Sequence, residues 1–117
     1  MSTTVLAAWP TELVIKSAAK VLVVSFDDKA TFNIPFELLR IESPSAQVQG
    51  HSAADKKLVL NKANVRVTGA QPVGRYAVRL IFDDGHDSGI FTWDWLYRLG
   101  RDQAVLLAAY RDAVSKV

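Results

Sequence analysis

Apolar and polar positions alternate along much of this chain, and the places where the period changes divide it into elements. From Thr11 to Lys16, Leu13 and Ile15 point one way and Glu12, Val14 and Lys16 the other, the pattern of a half-buried strand. Val21 to Phe26 (VLVVSF) is β-branched and apolar on both faces, which predicts a buried central strand. A polar turn, Asp27 to Ala30, leads into a partner strand from Thr31 to Ile34, so the chain opens as a β-meander. Pro35 fixes φ at a helix start. PFELLRI then places Phe36, Leu39 and Arg40 on one face of a short helix that stops before Ser43-Pro44.

The polar run SAQVQGHSAADKK, residues 45–57, predicts a loop. Short strands are expected at Lys57 to Leu60 and at Asn64 to Thr68, with a turn from Gly69 to Gly74. Tyr76 to Phe82 is the second strong strand. Asp84-Gly85 suits a type I′ hairpin turn, with HDSGIF returning. Thr92 can cap a helix that Gly100 ends, and a last amphipathic helix from about Asp102 aligns Leu106, Tyr110, Ala113 and Val117. The fold class expected is α+β. It is a single domain over residues 11–117 behind a flexible tail, 1–10, with Trp9 as an anchor. An antiparallel-rich mixed β-sheet of about five to seven strands would carry one short helix after Pro35 and two C-terminal helices.

One stretch echoes another. Val21 to Arg40 and Val78 to Arg98 both run apolar strand, Phe-Asp-Asp, returning strand, then a helix ending Leu-x-Arg. The echo is either a duplicated strand-hairpin-helix unit or a product of turn chemistry, and the second reading is preferred because Asp-Asp is good turn material in its own right.

Composition narrows the function classes. At 117 residues the chain is long enough for one core without staples, and 22% charged residues with a net charge of +2 leave no basic field for nucleic acid. Cysteine is absent, which excludes disulfides and thiolate-held metal. The first ten residues lack a basic start and are too short an apolar run for a signal or span, so a cytoplasmic protein with no membrane role is expected.

Candidate chemistry gathers between Arg79 and Leu99 (RLIFDDGHDSGIFTWDWLYRL). His86 sits beside Asp83, Asp84 and Asp87, which could raise its pKa, and a turn histidine of this kind is either a solvated residue bonded to a carboxylate or a base or ligand. His51 stands alone in its loop. Ser88 follows His86 without a nucleophile elbow, and no glycine pattern makes a phosphate loop. Trp93, Trp95 and Tyr97 could form an aromatic platform, although alternate positions cannot all face inward.

LLRIESPSA at Leu38 to Ala46, together with DDGHDSGIFTWDWL at Asp83 to Leu96, resembles the amino-terminal domain of gamma-butyrobetaine and trimethyllysine hydroxylases and the stand-alone bacterial proteins that share it. The marker residues are Asp84, Gly85, His86, Ser88, Phe91, Trp95 and Leu96. In the hydroxylases, the resemblance implies, three cysteines and the histidine of this element hold a structural zinc. Here His86 matches the histidine, while Ser43, Ser45 and Val48 occupy the cysteine positions. Serine is a poor ligand and valine is none, so the resemblance implies a site emptied of metal, in which Ser43, Ser45 and His86 tie loop to hairpin by hydrogen bonds or packing. The iron-site domain of the hydroxylases is not contained in these residues, so their activity does not transfer.

The expectation is therefore a non-catalytic interaction or adaptor module without cofactor, its partner another protein. Its candidate surface comprises Ser43, Ser45, His51, Asp84, His86, Asp87, Ser88, Trp93, Trp95 and Tyr97. A metal- or small-ligand-binding protein using His86 is the alternative, and an enzyme using His86 a third.

Overall fold

The β-branched run VLVVSF becomes the middle strand of a three-stranded sheet because it carries apolar side chains for both faces. In the computed structural model, which describes residues 8–50 and 56–117, β1 (Pro10–Lys16), β2 (Val21–Phe26) and β3 (Thr31–Pro35) pair antiparallel in that order. Leu22, Val24 and Phe26 are buried on one face, with Ile34 beside Leu22, while Val21 and Val23 lie half-buried on the other. The tail segment 1–7 and His51 lie outside the described residues.

Pro35 is the N-cap of α1 (Phe36–Ile41), whose Phe36, Leu38, Leu39 and Ile41 enter the core. The loop expected after it contains a further turn of helix, α2 (Ala46–Gln49), because Ser45 Oγ accepts from the amide of Gln47 at 3.2 Å. A second meander follows: β4 (Val67–Val73), β5 (Ala77–Phe82) and β6 (Ile90–Thr92), again antiparallel and in sequence order. The helix α3 (Trp93–Ser115) closes the fold, capped where Thr92 Oγ1 accepts from the amide of Trp95 at 3.2 Å. Both sheets, α1 and the first half of α3 supply one core.

The α+β class and the helix after Pro35 stand, and five details of the expectation change. The single mixed sheet is two antiparallel sheets, since each meander pairs only with its sequence neighbours. The two C-terminal helices are one 23-residue helix that runs through Gly100. Gly100 is not a terminator. It is the place where Phe32 packs against the helix so closely that a β-carbon would collide with the ring. Lys57 to Leu60 forms no strand, and Gly69 to Val73 is strand rather than turn; Pro72 is tolerated because β4 is an edge. The Asp84-Gly85 hairpin is not type I′ either: only Gly85 has positive φ, +91°. The loop spans Asp83 to Gly85, with the amide of Gly85 bonded to Phe82 O and that of Phe82 to His86 O.

The two meanders are built alike beyond their turns. In the first hairpin Lys29 takes the place of Gly85, with φ +74°, and the same two backbone bonds join Lys29 to Phe26 and Phe26 to Ala30. Asp28 Oδ1 accepts from the amide of Ala30 as Asp84 Oδ1 accepts from that of His86. Asp27 exchanges two bonds with the backbone of Trp9, and Asp83 does so with that of Arg66. Both first strands slip register opposite the phenylalanine, at Pro10/Glu12 and at Val67/Gly69. Turn chemistry alone does not produce matching bulges and strand-entry bonds, so the echo is a structural repeat. The helices cross over: Arg40 Nε of α1 bonds the second turn at Asp84 Oδ2 (2.8 Å), and Tyr97 Oη of α3 bonds the first at Asp28 Oδ2 (2.7 Å).

Candidate functional site

The crossover brings the end of α1 against the second hairpin, and His86 lies at that seam. The Asp83–Gly85 loop turns the chain so that the residue after Gly85 points inward, and His86 is buried, its ring tilted on Phe82 with centroids 5.8 Å apart. Ser43, just beyond α1, has no exposed surface, and its Oγ stands 2.9 Å from His86 Nε2. The same Oγ accepts from the amide of Ser45 at 3.3 Å, so one hydroxyl joins the imidazole to the start of α2. A second bond lies alongside, Ser45 Oγ to Ser88 Oγ at 2.7 Å. Gln49 Nε2 donates to Ser43 O at 2.9 Å. Gly89 lets the strand approach, since a β-carbon there would collide with Ser43 Oγ.

The electrostatics oppose the simplest reading of three neighbouring carboxylates. Burial lowers the pKa of His86, and the Arg40 guanidinium lowers it further, with a smaller contribution from Lys62; Asp84 and Asp87 pull the other way and lose. Asp84 is already engaged, with Arg40 Nε at 2.8 Å and Lys62 Nζ at 2.7 Å. Burial pushes Asp84 up, but the bonds from Lys62, the His86 amide and Arg40 outweigh it and hold the carboxyl down to about 2. His86 is thus neither a solvated turn residue nor a base with a raised pKa.

Arg40 and Lys62 escaped sequence reasoning, because their partner lies far along the chain. Arg40 on the otherwise apolar face of α1 was the available signal, since a charge there needs a partner. Glu42 was missed for the same reason: it is buried, with its carboxylate 2.5 Å from Lys56 Nζ and 4.0 Å from Arg98 Nη2.

The aromatic residues do not share a platform. Trp93 donates its indole N–H to Arg75 O at the far end of the second sheet, Trp95 to Glu42 O beside Ser43, and Tyr97 reaches the first hairpin, edge-on to Phe26 and Phe32. All three are half-buried. Of the expected surface, Ser43, Ser45, His86, Ser88 and Asp84 come together, with Trp95 at their edge; Asp87 turns outward, 3.8 Å from Arg79.

The four positions that the resemblance assigns to zinc offer one imidazole nitrogen, two hydroxyls and Val48, a buried side chain with no donor. That set does not fit a zinc centre. Among the described residues no three His, Cys, Asp or Glu side chains gather as metal ligands would. The Ser43–His86 pair has the spacing of a nucleophile and its base, but the buried Oγ is out of reach of a substrate carbonyl. What the arrangement does is tie the α1–α2 connection to the β5–β6 hairpin.

Residues 13–97 match the family described as gamma-butyrobetaine hydroxylase-like, N-terminal. Two NMR solution structures are similar to this chain. One is 41% identical with a TM-score of 0.80, over 92% of this chain and 85% of that one. The other is 40% identical with a TM-score of 0.82, over 100% and 89%. A crystal structure of a protein of unknown function in the DUF971 family, from Acidithiobacillus ferrooxidans, is 41% identical with a TM-score of 0.65, over 78% of this chain and 91% of that one. No curated protein matches. No described helix is long and apolar enough to cross a membrane.

Proposed function

Because the chain belongs to the gamma-butyrobetaine hydroxylase-like N-terminal domain family, we propose that it is a non-catalytic module that binds another protein in the cytoplasm through the seam between α2 and the β5–β6 hairpin. The observation that carries this reading is the Ser43–His86 bond, with Ser45–Ser88 beside it. Ser43, Ser45 and His86 are buried in the seam with Ser88 at its exposed edge, and these groups satisfy one another, so their chemistry is spent on holding two segments in fixed relation. A surface so held loses little conformational entropy when a partner docks. The side chains left outward at the rim, Gln47 and Asp87, are polar and suit the edge of a protein interface.

The reading is tested by placing a photo-crosslinking amino acid at Gln47 or Asp87 in cells, with the exposed Arg75 as the control position. A discrete protein adduct from the first two sites and not from Arg75 is the expected result. A parallel amide NMR titration of the metal-stripped protein with zinc and ferrous iron should leave Ser43, Ser45 and His86 unmoved. Saturable shifts confined to those amides, with no adduct, would replace the module by a metal-binding protein.

A further inference from the structure

The outer face of the second half of α3 has no partner among the described residues. Arg101, Val105, Ala108 and Asp112 follow one another at spacings of four, three and four, so they share one stripe, and all four are exposed. Val105, at 72% exposure, is the most exposed large apolar side chain among the described residues short of the terminal one. On one flank stands Ala104. On the other, Ala109 forms the lip of an apolar groove of about 380 Å³ between α3 and the 56–60 segment, where Leu58 and Leu106 also line the wall.

The charges on this face complement themselves. The stripe carries Arg101 at one end and Asp112 at the other, with Val105 and Ala108 between them. If a second α3 lies antiparallel on the first with its centre between Leu106 and Leu107, Arg101 meets the partner's Asp112. The same register sets Val105 against the partner's Ala108, with the small Ala104 and Ala109 on the two flanks. A two-fold axis makes every such pair occur twice. The parallel arrangement would put Arg101 on Arg101 and Asp112 on Asp112 and is disfavoured.

We propose that this face of α3 is a self-association surface, on which a second copy of the chain docks its own α3 antiparallel in that register. The small side chains let the helices approach closely, and the Arg101–Asp112 pair at each end fixes direction and register. Arg101 now forks onto Asp102, at 2.9 and 3.0 Å, and Asp112 lies 3.1 Å from Lys116. These pairs are exposed, so they exchange at little cost when the partner arrives. Three turns of helix bury less surface than a permanent dimer needs, so the dimer forms and dissociates with protein concentration.

Sedimentation velocity over a concentration series up to about 1 mM, the range in which so small an interface associates, tests this. The weight-average mass should rise from monomer towards dimer. Asp112→Arg alone, or Arg101→Asp alone, should lower the association constant about tenfold or more, because each like-charge contact appears twice. The double variant R101D/D112R restores the complement and should return association to the wild-type level. Unchanged circular dichroism spectra confirm that the exposed substitutions leave the fold intact. A monomer at the highest concentration would overturn the proposal. So would association that ignores the single reversals, which would put the dimer on another face.

Discussion

At the scale of the residue, Asp84 has a larger part in stability than its place in a turn suggests. Its folded pKa is lowered from 3.8 to about 2, so its stabilisation is fully present above pH 3.8 and is lost as pH falls through the folded value. Screened by solvent at a partly exposed carboxylate, the shift corresponds to about 1 kcal/mol. Asp84→Asn keeps the shape and discards the charge, and urea unfolding should show a loss of about 1 kcal/mol at pH 7 that shrinks to near nothing at about pH 2. The sequence made His86 and its acidic neighbours visible as a cluster but misjudged the sign of their effect. Nothing local announces that Arg40 and Lys62 converge on Asp84 and that the imidazole turns inward. The resemblance did point to the Ser43–His86 contact, because positions that converge on a metal in one protein still converge when the metal's ligands are gone.

Elements were legible where their own pattern decides them and obscure where a distant side chain does. VLVVSF, the strand ending at Phe82, and the starts of α1 and α3 depend on local periodicity, Pro35 and Thr92, and all could be seen in the sequence. Gly100 could not, since it is a helix terminator by local rules and a packing site by virtue of Phe32. This has a measurable outcome. By helix propensity alone, Gly100→Ala should stabilise a helix interior by about 1 kcal/mol. Here the new methyl meets the Phe32 ring and overpacks the interface, so thermal melting should show net destabilisation of about 1–3 kcal/mol. The division into two sheets was equally hidden, because alternation says which face a residue takes and not which strand stands beside it.

For the whole molecule, the crossover of Arg40 to the second hairpin and Tyr97 to the first has a consequence for how the protein opens. The helix of each half reaches the other half's turn, Arg40 from the end of α1 and Tyr97 from the first turns of α3, so neither can separate without breaking a bond that steadies its counterpart. Local fluctuations of one meander are therefore penalised by the other, and the smallest opening that frees either turn involves both. Native-state hydrogen exchange should find the amides of Phe26 and Phe82, each bonded across its own hairpin, exposed in one shared event of equal free energy. Two separate exchange energies would mean that the halves breathe independently. With a single one, the repeat behaves as one cooperative unit, and a substitution at either turn registers in the exchange of both.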